Sequence, residues 1–208
     1  MINKNLKVKI LNIRGSWKDV YRSCLNTINK EVVDKEPSSE WKRRIVLSEH
    51  SPIRKISIEA KLYNLYYWVS THLVRHHIGI DHFVSTQRTD LVKDKNRDNS
   101  PENAPVDHEF DGTVQSIINI SRKRCCFKAS PETRKAWNLF LEELRKVEPE
   151  IVSCCVKECV YRNGLCPEHK SCGYNKNNPK FEEELRNYTE VIKNQINEKT
   201  SIFTKEEE

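Results

Sequence analysis

The chain has 208 residues, of which 37% are apolar and 32% charged, which suits one large domain or a domain with a small appendage. No apolar run reaches the ~18 residues of a membrane-spanning helix, and the residues after Met1 lack a signal peptide's apolar stretch, so we expect a cytoplasmic protein. A net charge of +6 suits a protein that binds the phosphates of nucleotides, flavins or nucleic acid, and equally a solvated basic surface.

The first third of the chain is predicted to begin with a strand over residues 7–13, where polar and apolar residues alternate. Ser16 then caps a helix that runs to about Lys30, and Ser38 or Ser39 caps a short helix through residues 41–45. Residues 56–62 alternate again and predict a second strand.

The remainder of the chain is mostly helical by its pattern. Residues 65–78 have helical spacing that places His72 and His76 on one face, with Gly79 as the stop. Residues 83–88 form a strand or loop, and the polar, proline-broken residues 94–106 form a loop. Further helices are predicted over residues 113–124, 131–147 with Ser130 as the cap, and 181–199, before a frayed terminus.

The segment Arg75-His76-His77, followed after seven residues by Ser85, is the most informative. The guanidinium group of arginine forms bidentate hydrogen bonds with phosphates, and histidines donate to carbonyls or phosphates. We therefore expect an anion-binding site at Arg75 and Arg88. A polar helix end whose histidines complement the helix dipole is the alternative interpretation.

This segment resembles the Arg-His-Arg, seven residues, Ser signature of the flavin-dependent thymidylate synthases. Upstream, Ser51-Pro52 leads into the second predicted strand, as the family's Ser/Thr-Pro segment does. Downstream, Asn119, Arg124 and Ala129 resemble the family's Asn…Arg…Ala-Gln helix. These segments occur in the family's order and span roughly residues 45–135.

The resemblance implies an α/β fold with a curved, mostly antiparallel sheet against packed helices, FAD as cofactor, and a homotetramer with active sites between subunits. It implies reductive methylation of dUMP, or of a related pyrimidine nucleotide, with methylene-tetrahydrofolate as carbon donor and NADPH as reductant. The implied cofactor-binding residues are Ser51, Arg75, His76, His77, Ile78 and Asn119. The implied substrate-binding residues are His72, Ser85, Thr86, Gln87, Arg88 and Arg124, and Arg124 is also the implied catalytic residue.

The chain also departs from the family pattern. The third signature arginine is His77, His72 stands where glutamine is expected, and Phe83 or Val84 occupies the position of a nucleotide-site glutamate. Arg54 replaces a glutamate, and Thr113 and Gln115 replace an asparagine and an arginine. These changes leave open an alternative function, a catalytically inactive relative that binds nucleotides or nucleic acid.

Eight cysteines are many for a cytosolic chain, and five of them fall within residues 154–172. Thiols in a reducing compartment are more often metal ligands than disulfides. The preferred prediction is one zinc ion on Cys155, Cys159, Cys166 and Cys172, with Cys154 and His169 as substitutes. An iron–sulfur cluster and thiols that merely pack are the alternatives. For Cys125-Cys126, packing is favoured over a nucleophilic role.

The predicted organisation therefore has three parts. Residues 1–150 form the catalytic and nucleotide-binding domain, residues 151–178 the cysteine-rich segment, and residues 179–208 a polar helix and tail.

Overall fold

The computed structural model describes residues 5–88, 90–92 and 100–198, with the side chains of the last helix described only to Glu190. It contains four strands, eight α-helices and one 3-10 helix over these ranges. The strands are β1 (Lys7–Arg14), β2 (Ser57–Tyr66), β3 (Ile80–Val84) and β4 (Pro105–Thr113). The helices are α1 (Trp17–Thr27), α2 (Ser39–Leu47), α3 (Tyr67–Leu73), α4 (Val114–Arg124), α5 (Pro131–Arg145), α6 (Pro149–Ser153), α7 (Glu158–Tyr161) and α8 (Pro179–Glu198), with the 3-10 helix at Ser51–Lys55.

The strands form one antiparallel sheet in the order β1-β2-β4-β3. Alternation in β2 turns Ile58, Ala60 and Leu62 into the core, where α5 packs against β1 and β2. A bulge follows Leu62, with Asn64 in the left-handed region at φ 57°, and it returns Leu65 to the core face. The predicted α/β architecture with an antiparallel sheet and packed helices is confirmed.

Side-chain caps place most helix starts where the sequence predicts them. Ser16, Ser38, Thr113 and Ser130 each accept a hydrogen bond from a backbone N–H in the first turn of the helix that follows. Across the described residues, none of the helices combines the length and hydropathy needed to span a bilayer.

The helix predicted over residues 65–78 is wrong at both ends. β2 continues to Tyr66 because that residue still pairs with Pro105 of β4, and α3 ends at Leu73. Residues 75–79 therefore form a turn, and His72 and His76 do not share a helical face.

The loop predicted over residues 94–106 is also corrected at its end. Residues 93–99 lie outside the described part, but β4 begins at Pro105 and pairs with both β2 and β3. No apolar alternation marks β4 in the sequence, because its core-facing positions include His108 and Gly112 beside Val106 and Phe110.

The apolar core is divided unequally. The main cluster covers the sheet, α1 to α5 and the start of the cysteine-rich segment, including Cys154 and Cys155. A second cluster of Val156, Cys159, Val160 and Phe181 joins α7 to α8. The three-part division of the chain stays a prediction.

Candidate functional site

A surface depression of about 190 Å³ lies between the turn after α3 and one side of α4. Its lining consists of Arg75, His76, His77, Ile78, Ser116, Asn119 and Ile120. All the predicted cofactor-binding residues except Ser51 are therefore brought together, although the turn and α4 are about 40 residues apart in sequence. Ser51 is exposed at the start of the 3-10 helix, which packs against α4.

Polar contacts from α4 hold the turn. The Ser116 hydroxyl lies 2.8 Å from the carbonyl oxygens of both Ile78 and Gly79, and the Thr113 backbone N–H donates to Gly79 at 2.9 Å. Gly79 has φ +68°, and a Cβ there would lie 2.6 Å from the Ser116 hydroxyl, so this position requires glycine. As a result Ile78 is held 82% exposed at the rim of the depression.

A chain of hydrogen bonds supports the same turn from the sheet side. His82 of β3 contacts the His76 carbonyl oxygen through Nε2 at 2.7 Å, so that nitrogen carries the proton. The other ring nitrogen of His82, Nδ1, therefore accepts a hydrogen bond from Nε2 of the fully buried His108 at 2.9 Å. Nδ1 of His108 in turn accepts from the buried Ser70 hydroxyl at 2.9 Å. The order of donors fixes the tautomer of both rings.

Burial keeps these histidines neutral. It lowers the pKa of His108 to about 3, with a further contribution from His82. Burial and the Arg124 cation lower the pKa of His76 to about 4. The His76 ring is therefore an acceptor at neutral pH, and Arg124 donates to its Nε2 through Nε at 2.9 Å.

Arg124, the predicted catalytic residue, is the last residue of α4 and is half-buried. Besides its bond to His76, it donates through Nη2 to the His72 carbonyl oxygen at 2.6 Å. These two bonds fix the guanidinium against the turn and use two of its five N–H donors. The His72 ring lies near the Thr133 hydroxyl at 3.2 Å, so His72 contributes its backbone here.

The other predicted substrate residues line a separate cavity of about 280 Å³. It is bordered by Tyr67, Val84, Ser85, Thr86, Gln87 and Arg88. The Ser85 hydroxyl accepts from the Asp107 backbone N–H at 3.0 Å, and Arg88 is paired with Asp90. The structure thus brings Ser85 to Arg88 together, but neither His72 nor Arg124 is in this lining.

The predicted zinc ligands do not form one site. Cys155 is buried in the main core with its Sγ 3.4 Å from the Ile151 carbonyl oxygen, whereas Cys159, Cys166 and Cys172 line a different cavity. Within the described residues, no group of three or more His, Cys, Asp or Glu side chains is arranged to hold a metal ion. The structure therefore does not support a single zinc ion on the predicted set. The substitute Cys154 is likewise buried in the main core.

Cys125 and Cys126 follow Arg124 directly. Burial raises the pKa of Cys125 to about 12, and burial also raises that of Cys126. A thiolate nucleophile is disfavoured by these shifts, which agree with the packing interpretation for Cys125.

Comparison with known proteins supports the resemblance seen in the sequence. A flavin-dependent thymidylate synthase from Clostridium tetani is 38% identical over 65 residues, which are 31% of this chain and 25% of that protein. The match thus spans only a quarter of that relative's length. No family model matches the chain.

Solved structures provide the wider comparison. The flavin-dependent thymidylate synthase ThyX from Helicobacter pylori, complexed with FAD and dUMP, has a TM-score of 0.59 at 13% identity and covers 73% of this chain and 100% of its own. A second structure of the same enzyme with FAD and dUMP has a TM-score of 0.57 at 12% identity, covering 72% and 99%. The chain shares the fold of these solved flavin-dependent thymidylate synthases. The fold is theirs along the whole length of the solved enzyme, while sequence likeness is confined to a short stretch.

Sequence reasoning missed the support behind the depression. Ser70, His82, His108 and Ser116 were not singled out, because each is an isolated polar residue without a motif. His108 can be recognised only once β4 is placed in the sheet, because its position in that strand then faces the core.

Proposed function

We propose that the chain binds the flavin of FAD at the depression and catalyses reductive methylation of dUMP or a related pyrimidine nucleotide. Methylene-tetrahydrofolate is the proposed carbon donor and NADPH the proposed reductant. The observation that carries the proposal is the depression itself, where Arg75, His76, His77, Ile78 and Asn119 converge in a fold shared with enzymes solved with FAD and dUMP.

The residues of the depression suit the flat ring system of a flavin, which has polar edges, and the pyrophosphate attached to it. Ile78 offers an exposed apolar surface for ring contact. Asn119 supplies an amide, with its Oδ1 accepting from Arg122 at 3.1 Å. Arg75 and His77 are exposed beside it and suit the pyrophosphate, with Arg75 able to form a fork.

The bound flavin, once reduced, supplies the hydride of the proposed reaction. Arg124 is held in place by His76 and the His72 carbonyl, so its remaining N–H groups are preorganised to donate to the pyrimidine as negative charge develops on it. The neutral His76 adds no competing charge to the guanidinium's surroundings, since burial keeps its pKa low.

The proposed assembly is a homotetramer that completes the site. Small-molecule pockets are typically about 300–1,000 Å³, and the depression of about 190 Å³ is below that range. The separate cavity of Ser85, Thr86, Gln87 and Arg88 suits a nucleotide phosphate. A depression on one subunit that faces this cavity on another would bring flavin and nucleotide together.

A binding protein without turnover is the second candidate. The first observation that favours it is that Phe83, which is 58% exposed, or the adjacent Val84 stands where the resemblance expects a glutamate. The second is that Arg88 is already paired with Asp90. Both changes weaken the polar contacts available to a nucleotide.

Turnover separates the two candidates. The FAD-loaded full chain, incubated anaerobically with dUMP, methylene-tetrahydrofolate and NADPH, is expected to form dTMP, measured by chromatography. Omission of each reactant in turn is the control. Binding of dUMP without dTMP would establish the inactive relative, with or without bound FAD. Absence of FAD binding would contradict the flavin-dependent enzyme.

A further inference from the structure

A third cavity, of about 220 Å³, lies at the C-terminal end of α4, against the cysteine-rich segment. Cys126, Cys159, Cys166 and Cys172 all border it. They come from the turn after α4, from α7, and from the two loop positions that follow. No disulfide joins them, and all four are free thiols.

The four cysteines line one cavity although they come from separate parts of the chain. The other four cysteines of the chain, Cys24, Cys125, Cys154 and Cys155, are buried in the main core. The chain thus has two distinct groups of cysteines.

The cavity suits a group larger than a single metal ion. A tetrahedral zinc site with Zn–S bonds of about 2.3 Å requires thiolates roughly 3.8 Å apart, and the described residues hold no such cluster. The cavity of about 220 Å³ is much larger than the space that one ion occupies. Iron–sulfur clusters are held by cysteine thiolates spaced around a polynuclear core.

Charges around the cavity suit an anionic cluster. Arg122, Lys123, Arg124 and Lys128 border it, against Glu158 and Glu168. Cations outnumber carboxylates in this lining, so the cavity favours a negatively charged group.

We propose that Cys126, Cys159, Cys166 and Cys172 bind an iron–sulfur cluster of the 4Fe–4S type in this cavity. Each cysteine loses its proton and supplies one thiolate to one iron. The cluster links the cysteine-rich segment to the end of α4. Arg124 borders the same cavity. This proposal is independent of whether the depression binds flavin.

Metal and sulfide analysis of the full chain tests it. The chain is purified anaerobically, reconstituted with ferric iron, sulfide and a thiol that partly reduces the iron, and desalted. Roughly four irons and four acid-labile sulfides per chain are expected, with an electron paramagnetic resonance signal after reduction by dithionite. These readouts do not depend on the visible absorbance, to which a flavin also contributes.

Two sets of variants make the test specific. Cys166→Ser and the exposed Cys172→Ser are expected to lower iron and sulfide towards background, while circular dichroism shows that the fold is kept. Cys24→Ala and Cys154→Ala, matched cysteines of the core, are expected to retain both. About one zinc per chain without sulfide, no retained metal, or iron lost equally from the core variants would each overturn the proposal.

Discussion

The two cavities at α4 are built in different ways. The depression uses one short turn, residues 75–78, and the middle of the helix, at Ser116, Asn119 and Ile120. The cysteine cavity uses the end of the helix and residues collected from positions 126–175. Arg124 connects the two regions, because its guanidinium bonds to His76 while the residue borders the cysteine cavity.

This difference explains why the residues of the depression could be predicted from the sequence and those of the cysteine cavity could not. A motif with contiguous residues identifies the turn even when some members are replaced. The cysteine cavity has no motif, and Cys126 belongs to it only because α7 and its following loops pack against the end of α4. Proximity in sequence suggested Cys155 instead, which the fold turns into the core.

Replacing Arg124 gives the largest expected effect, because this residue connects both regions. Arg124→Ala removes a preorganised donor from the proposed site. We expect this to cost about 2–4 kcal/mol of transition-state stabilisation, measured as a lower kcat/KM for dTMP formation. Arg22→Ala is the matched control, since Arg22 is exposed on α1 and pairs with Asp19. An Arg124→Ala enzyme with unchanged kinetics would remove Arg124 from the site.

His108→Ala separates the two regions, since it weakens only the support of the depression. It leaves the Ser70 hydroxyl and His82 Nδ1 without their partner and opens a cavity, so we expect a loss of about 2–4 kcal/mol in the free energy of unfolding. Urea unfolding measures this loss. FAD affinity is expected to fall, with iron content unchanged. The exposed His169→Ala is the control, and equal losses in both variants would refute the supporting role.

Acid should lower the stability of the folded chain through the buried His108, which supports the turn. The pKa of His108 is lowered to about 3 in the folded chain, against about 6.5 for an unfolded histidine, so the unfolded state binds the extra proton between these values. Stability is therefore fully present above about pH 6.5 and is lost as pH falls, by at most about 1.4 kcal/mol per pH unit for this group. Urea midpoints at a series of pH values measure the slope, and His108→Ala should have a shallower slope. An equal slope in both proteins would contradict a neutral, buried His108.

Gly79→Ala tests the shape of the turn alone. The left-handed φ of Gly79 and the close Ser116 hydroxyl predict a cost of about 1–2 kcal/mol in folding free energy, with weaker FAD binding. Gly173→Ala is the control, because Gly173 also has a positive φ but a Cβ there meets nothing within 4 Å. Unaltered FAD affinity in Gly79→Ala would show that the turn does not shape the site.

Much of the fold could be predicted because its signals are local. The caps at Ser16, Ser38 and Ser130 and the alternation of β2 are readable in short windows. β4 was missed because its buried His108 is polar, and the helix at residues 65–78 was overextended because the pairing of Tyr66 with Pro105 is non-local. Of the candidate site, the turn was predictable by resemblance, but its supports Ser70, His82 and Ser116 depend on contacts across the sheet.

FAD titration of the apoprotein tests the central claim most directly. Isothermal calorimetry of the wild-type chain with FAD is expected to show saturable binding, weakened in Asn119→Ala and His77→Ala, whose side chains belong to the depression. Binding should be unchanged in Arg22→Ala. No heat at ~100 μM FAD, where a site of about −5.5 kcal/mol is half-filled, or binding that is indifferent to Asn119 and His77, would contradict a flavin site in the depression.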